Sequence, residues 1–331
     1  MSVASFSSPA PPAASMARSG RRLLRQILGR LAAGVGVLWG AATLTFIAMN
    51  ATGGDMAIAI LGGPDALPTA AVVARVRQDY GLDQPLPLQY LHYLARLAHG
   101  DLGESYRLRI PVSTAIAEQV WPTLILAFSA WAVALLISTA VAAATARRPR
   151  IIRSTASTIE LVLSSMPSFA VGILLLLAFS FRLHLFPVGG DQGWRSLVMP
   201  VATLALCPIA ALQTQVLRQS LEEILEQPFI LMARARGMSD AAVRLGHALR
   251  HACVPLLTLS GTIFTKLFVG AVIIETLFAR PGLGRLMVDA TTNSDVPIVV
   301  GVTLFVALLS VSINLIVDLL TALIDPRTIS R

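Results

Sequence analysis

Polar and apolar residues fall in long blocks along this chain, not at the short spacing of a soluble helix or strand. Apolar runs extend from Leu31 to Asn50, Trp121 to Ala146, Ile159 to Phe181, Leu197 to Leu217, Val254 to Phe278 and Val296 to Leu323. A helix of ~20 such residues, at ~1.5 Å rise each, crosses the ~30 Å hydrocarbon layer of a bilayer. The pattern predicts an all-α polytopic membrane protein with six spans.

The segments between the runs give the layout. Residues 1–17 are rich in Ser, Ala and Pro without apolar period, which predicts a disordered tail. Arg18, Arg21, Arg22, Arg25 and Arg30 then flank the first run. That run is too long for a signal-peptide core and no small-residue cleavage site follows, so residues 18–50 read as a basic flank and first span. Residues 51–118 form a polar insertion. Thr69 can cap a short helix carrying Val72, Val73, Val76 and Tyr80, stopped by Gly81. A second amphipathic segment carries Leu88, Leu91, Leu94 and Leu97 and ends at Gly100.

Arginine sets the orientation. Arg147, Arg148, Arg150 and Arg153 crowd one short loop, and Arg218, Arg234, Arg236, Arg244 and Arg250 another. Dense positive charge marks the cytoplasmic side, so both termini lie inside and the insertion outside. The core is then residues 119–331, with a cytoplasmic loop over 218–253, and Asp325-Pro326-Arg327 closes the chain inside. Within that loop Pro228 can start a helix. Ala233 and Gly237 follow four residues apart on one helical face, flanked by Arg234, Arg236 and Met238. Two tiny side chains at that spacing admit a partner surface, which reads as a docking helix; the alternative is a basic loop that only fixes topology.

Composition agrees with a membrane protein: 55% hydrophobic residues, 13% charged, mean hydropathy +0.72. The net charge of +8 sits at the ends of apolar runs, so lipid and topology account for it and nucleic acid does not. Cys207 and Cys253 lie in or beside apolar segments and imply no disulfide framework. No phosphate-binding loop of the Gly-x-x-x-x-Gly-Lys type and no Gly-x-Ser-x-Gly elbow occurs, so neither ATP binding by that route nor serine hydrolysis is expected. His247 and His251 lack a third ligand, and His92, His99 and His184 are scattered, so no metal site is expected.

Some polar features fall inside the spans. Pro167, in Ser165-Met-Pro-Ser-Phe, must kink the third run, and Pro200 and Pro208 interrupt the fourth. Such kinks border a pathway or only accommodate packing. Placing an ionisable group at bilayer depth costs about 2.5–3.5 kcal/mol on insertion scales. Glu160 and Asp318 lie near cytoplasmic ends and Glu275 near an outer end. Lys266 falls well inside the fifth run, where it lines a path, pairs with a carboxylate of another subunit, or snorkels. Arg280-Pro281-Gly282-Leu-Gly284 reads as a tight outer turn requiring glycine dihedrals.

Several of these stretches resemble one family. Ala233-Arg-Ala-Arg-Gly237 with His247-Ala-Leu-Arg250 and Val254-Pro255 resembles the cytoplasmic loop of ABC importer permeases. The general signature there is Glu-Ala-Ala, three residues, Gly, nine residues, then Ile-x-Leu-Pro. Leu231-Met232-Ala233 replaces its first part, Gly237 is kept, and His247-Ala-Leu-Arg250 occupies its last. Tyr80-Gly-Leu-Asp-Gln-Pro-Leu-Pro-Leu-Gln-Tyr-Leu91, Gly100-Asp-Leu-Gly103, Ser165 to Phe169 and Glu275 to Leu286 look like the dipeptide/oligopeptide/nickel branch, first permease of the pair.

The resemblance implies a bacterial inner-membrane subunit that is not itself an enzyme and binds no cofactor. It implies a second homologous permease, two ATPase subunits carrying ATP and Mg, and an extracytoplasmic solute-binding protein over the insertion. It also implies docking through Ala233–Met238, a translocation path for which Ser165, Pro167, Lys266 and Glu275 are candidates, and alternating access. The substrate (dipeptide, oligopeptide, nickel or metallophore) stays open. A non-transporting assembly or sensor subunit, or an ion-coupled secondary transporter, remains as an alternative; the latter should show facing intramembrane carboxylates, and no central cluster of them occurs.

Overall fold

The computed structural model describes residues 13–51, 57–58, 61, 69–79, 82–191 and 193–324. Among the described residues the chain is helical, with one isolated antiparallel bridge, Glu104 to Pro111, and no strand. Helix α1 (Ala13–Ala51) starts inside the stretch expected to be a tail; residues 1–12 lie outside the described residues. In the insertion, α2 (Ala70–Asp79) begins after Thr69, and α3 (Leu86–Ala98) ends before Gly100 at φ +76°. Tyr80 and Gly81 lie outside the described residues, as does the closing Asp325-Pro326-Arg327.

Proline punctuates the rest. Pro111 precedes α4 (Val112–Thr145), and Pro149 precedes α5 (Arg150–Ser165). Met166 must be extended because Pro167 follows it, and it is, at φ −81° and ψ 134°. The chain therefore bends by 100° before α6 (Ser168–Leu175), which widens into a π-helical stretch over Leu176–Arg182. Next come α7 (Trp194–Leu204), a π-helical stretch at Ala205–Ile209 and α8 (Ala210–Ile224). Pro208 lacks the N–H that a regular turn needs, and the wider π turn absorbs the defect.

The loop expected to be cytoplasmic folds as α9 (Pro228–Ala235), a turn at α10 (Asp240–Ala242), a π-helical stretch at Val243–Ala248 and α11 (Leu249–Ala252). The chain finishes with α12 (Val254–Leu277), α13 (Leu283–Thr292) and α14 (Val296–Ile324).

Among the described residues, four helices are long and apolar enough to cross a membrane: Leu28–Ala48, Val112–Thr145, Thr258–Leu277 and Val296–Thr321. The bent pair α5–α6 makes five if it counts as one span. The expected fourth run is not among them. The run is nonetheless helical throughout: α7, the π-helical stretch at Ala205–Ile209 and α8 follow one another without a gap.

Helix α4 is the axis of the packing, lying against α7, α8, α12 and α14. Ala127, Ala130 and Ala134 are fully buried on it and let Leu204, Ile209, Ile263 and Leu267 come close. Small residues serve the same purpose in membrane bundles generally, where lipid offers no hydrophobic drive between helices. A cytoplasmic cluster joins Ala142, Leu217, Leu221, Ile230, Val243 and Leu256. An outer cluster joins Val112, Ile116, Leu283, Ala290, Ile298 and Val302. Leu136 and Ile151 are 71% and 79% exposed, as residues facing hydrocarbon or another subunit would be.

Candidate functional site

The loop over 218–253 folds as a knob. Pro228 occupies the first turn of α9, where its missing N–H costs nothing. The helix stops at Gly237, whose φ of +82° suits a residue without Cβ, and the Gly237 N–H donates to the Arg234 carbonyl at 2.9 Å. The shared face expected of Ala233 and Gly237 therefore does not form. Gly237 lies past the helix end, and Ala233 is buried with Ile230 in the cytoplasmic cluster. What α9 offers outward is Leu231 at 60% and Met232 at 62% exposure, beside exposed Arg234 and Arg236. Met238 is half-buried against that cluster. Two apolar residues standing where the family signature has Glu-Ala were the signal that could have found this face.

Asp240 ties the knob together. Its carboxylate receives Arg244 Nε at 2.8 Å and Arg234 Nη2 at 3.3 Å, with Arg148 Nη2 at 3.8 Å. The Arg244 hydrogen bond holds the Asp240 carboxyl below its ordinary range, against a smaller opposing effect of burial. Arg244 is itself buried and donates through Nη1 to the carbonyls of Ala143 and Ala146, at 3.2 and 2.7 Å. Those carbonyls belong to the end of α4, where no helical N–H remains for them. Arg147–Glu226 and Arg153–Glu222 pairs add to the same side. The Asp240–Arg244 pair has the local i, i+4 spacing and could have been read from the sequence, whereas the reach of Arg244 to Ala143 and Ala146, across about a hundred residues, has no local signature.

Near the end of α12, Glu275 is fully buried and anchors the turn. It accepts Thr123 Oγ1–H at 2.6 Å, Gly284 N–H at 2.7 Å and Arg285 N–H at 3.3 Å, and Thr123 in turn accepts Leu283 N–H at 2.8 Å. The carboxylate thus caps the first turn of α13. Gly282 is extended at φ 163°, so dihedral freedom is not what the turn requires there. The requirement is space: a Cβ on Gly282 would lie 2.2 Å from the Glu275 carboxyl carbon, and one on Gly284 would lie 2.3 Å from Val272 Cα. Arg280 is buried and reaches Asp191 at 3.6 Å, while Gly190 N–H donates to the Phe278 carbonyl at 3.0 Å. Arg280 and the Phe278 carbonyl thus bind the 182–195 loop to the end of α12.

The remaining candidates divide. Ser165 is exposed at the end of α5 and donates to its own helix at Leu161, 2.8 Å away, and Pro167 is exposed at the bend. Lys266 is exposed on α12 and lines a groove of about 180 Å3 with Ser164, Pro208 and Gln215. A cavity of about 430 Å3 lies apart, under the insertion, lined by Tyr93, Arg96, Glu104, Tyr106 and Pro297. Burial pushes the Tyr93 phenol there up to about 12. No group of three metal-ligating side chains occurs among the described residues.

Residues 134–330 match the family described as binding-protein-dependent transport system inner membrane component, and residues 23–130 match the N-terminal family of the same membrane component. A putative peptide transport system permease protein of Brucella abortus (strain 2308) is 40% identical over 91% of this chain and 98% of its own. A glutathione transport system permease protein of Salmonella choleraesuis (strain SC-B67) is 37% identical over 92% and 98%. The fold is similar to a chain of the MetNI methionine ABC transporter in an inward-facing conformation. That likeness has a TM-score of 0.50 at 18% identity, over 66% of this chain and 98% of that one. The chain belongs to the inner-membrane permeases of binding-protein-dependent ABC importers, in their peptide/oligopeptide family, and has its ATPase on partner subunits.

Proposed function

We propose that this permease pairs with a second, homologous permease, and that each forms half of a path for a peptide-class solute. Both relatives above carry names for peptide or glutathione transport. Six spans with both termini inside account for the arginine distribution, with the continuous helix over 194–224, π-helical at Ala205–Ile209, as the fourth span. The insertion, including α2 and α3, faces the solute-binding subunit, and ATP and Mg stay on the ATPases.

One observation carries the coupling step: the exposed apolar tip of α9 is clamped to the end of α4 through Asp240 and Arg244. A push on Leu231 and Met232 by an ATPase is therefore delivered to the helix around which the bundle packs. Closure of the ATPases turns the bundle and opens the path outward, and their return releases solute inward. The test is Leu231→Asp with Met232→Asp in the complete complex. The double variant should insert in the membrane normally yet lose the ATPase subunits on purification. Retention of stimulated ATP hydrolysis would defeat the docking assignment.

A further inference from the structure

The carboxylates in the apolar runs come with partners. Glu160 has Arg218, Asp318 has Arg30, and Glu275 has one O–H and two N–H donors. Lys266 differs. Among the described residues its ammonium has neither a salt bridge nor a hydrogen bond, and the side chain is exposed. It is the thirteenth residue of α12 (Val254–Leu277), so its Cα lies about 18 Å from one end and about 16 Å from the other at ~1.5 Å per residue. That depth exceeds what a lysine stem spans by snorkelling. Charge so placed faces protein or water, not lipid.

The backbone around it points to water. The groove that Lys266 shares with Ser164, Pro208, Leu212, Gln215 and Ile263 is bordered by the two breaks of the bundle. One is the 100° bend after Ser165, and the other is the π-helical stretch holding Pro208. Irregular backbone at membrane depth persists where protein covers it or where it lines a watery cavity. Ser164, Pro208, Gln215 and Lys266 are all exposed, so this chain does not cover the groove.

From this geometry we infer that the groove is a way-station for a carboxylate of the transported solute, held by the Lys266 ammonium with Gln215 and Ser164 as neutral donors. Its 180 Å3 holds a carboxylate with a few waters, at roughly 30 Å3 per water. One cation with neutral donors also holds a passing group weakly enough to release it, as conduction requires. The inference rests on the permease reading and adds the chemistry of the cargo.

The test uses the complete complex in proteoliposomes. In a chain carrying Cys207→Ser and Cys253→Ser, Gln215→Cys should react about tenfold faster with an anionic thiol reagent than with a cationic one of the same size. Lys266→Met should erase that preference. Independently, Lys266→Met should lower uptake of a free dipeptide about tenfold while ATP hydrolysis stimulated by loaded binding protein persists, and Lys266→Arg should keep uptake. A Gln215→Cys thiol that reacts with neither reagent, or shows no preference, overturns the inference. So does Lys266→Met losing uptake and ATP hydrolysis together, which marks a structural ion pair with another subunit, or losing neither. If Lys266→Met fails to assemble, the reagent comparison with Lys266 in place decides alone. A wild-type complex that imports no peptide, yet retains the anion preference, rejects the peptide cargo and leaves the anion site standing.

Discussion

Arg218 and Glu160 form a two-pronged ion pair, at 3.0 and 2.6 Å, with both side chains more than nine-tenths buried. The pair fastens α5, which precedes the 100° bend, to α8, which follows the π-helical break, and Thr145 of α4 lies 3.4 Å from the same guanidinium. Taking one partner away leaves a buried charge alone, which costs about 3–5 kcal/mol, whereas replacing both with apolar residues is often nearly neutral. Arg218→Met and Glu160→Leu should therefore each lower the melting temperature of the purified complex sharply. The double variant should regain most of the loss. A double variant no better than the worse single one would assign the pair to something other than mutual neutralisation.

Glu275 is an anchor, and its substitution should read as a folding defect. Glu275→Leu strands the N–H groups of Gly284 and Arg285 and the Thr123 hydroxyl, at about 1–3 kcal/mol for each unsatisfied buried group. Gly284→Ala drives a methyl into Val272 of α12 and should give a similar loss. Thermal melts and protease susceptibility of the solubilised complex should fall in step with transport. Full stability with transport lost would return Glu275 to the path.

How much of this was legible in the sequence follows from the range of each interaction. The apolar runs, the proline breaks and the amphipathic insertion are local patterns, and helices form over nearly all of them. Residue-level geometry was harder. Ala233 and Gly237 are four apart in sequence, but whether a helix continues through Gly237 depends on a backbone conformation, φ +82°, that spacing does not encode. Glu275 was placed as a path candidate because it is a carboxylate inside an apolar run. Its true partners, Thr123 and the turn at Gly284, lie up to 152 residues away and become visible only in three dimensions. Lys266 stood out in both readings, since a charge in an apolar run is a local anomaly wherever the neighbouring helices fall.

Asp295 joins the insertion to α14. It is buried and accepts the Ser105 hydroxyl and the N–H groups of Tyr106 and Arg107, directly ahead of the first turn of α14. Asp295→Ala removes the acceptor of the buried Ser105 hydroxyl, at about 1–3 kcal/mol for a group left unsatisfied, and unlatches the 101–111 segment. Limited proteolysis should then cut within that segment faster while α12 and α13 stay protected. An unchanged cleavage pattern would mean that the outer cluster around Val112 and Leu283 holds the segment without help.

The clamp at Asp240 should weaken in acid. Its carboxyl is held below the ordinary 3.8, chiefly by the hydrogen bond from Arg244. A carboxyl depressed in the folded state stabilises that state above its unfolded pKa, and the contribution disappears as pH falls through the folded value. The window is therefore below about 4, and the knob should be insensitive to pH through the neutral range. Asp240 is about half exposed, so solvent screens much of its attraction for Arg148 and Arg234. Arg244 is the buried partner, and it keeps the Ala143 and Ala146 carbonyls when Asp240 is gone. Asp240→Asn should accordingly leave the complex assembled but loosen α9 from α4. Basal ATP hydrolysis should continue while its stimulation by loaded binding protein falls several-fold. Arg244→Met should do worse, because it also strands the two carbonyls at the end of α4. Equal, wild-type stimulation in both variants would show that force reaches the bundle by the apolar contacts of Ile230 and Ala233 alone.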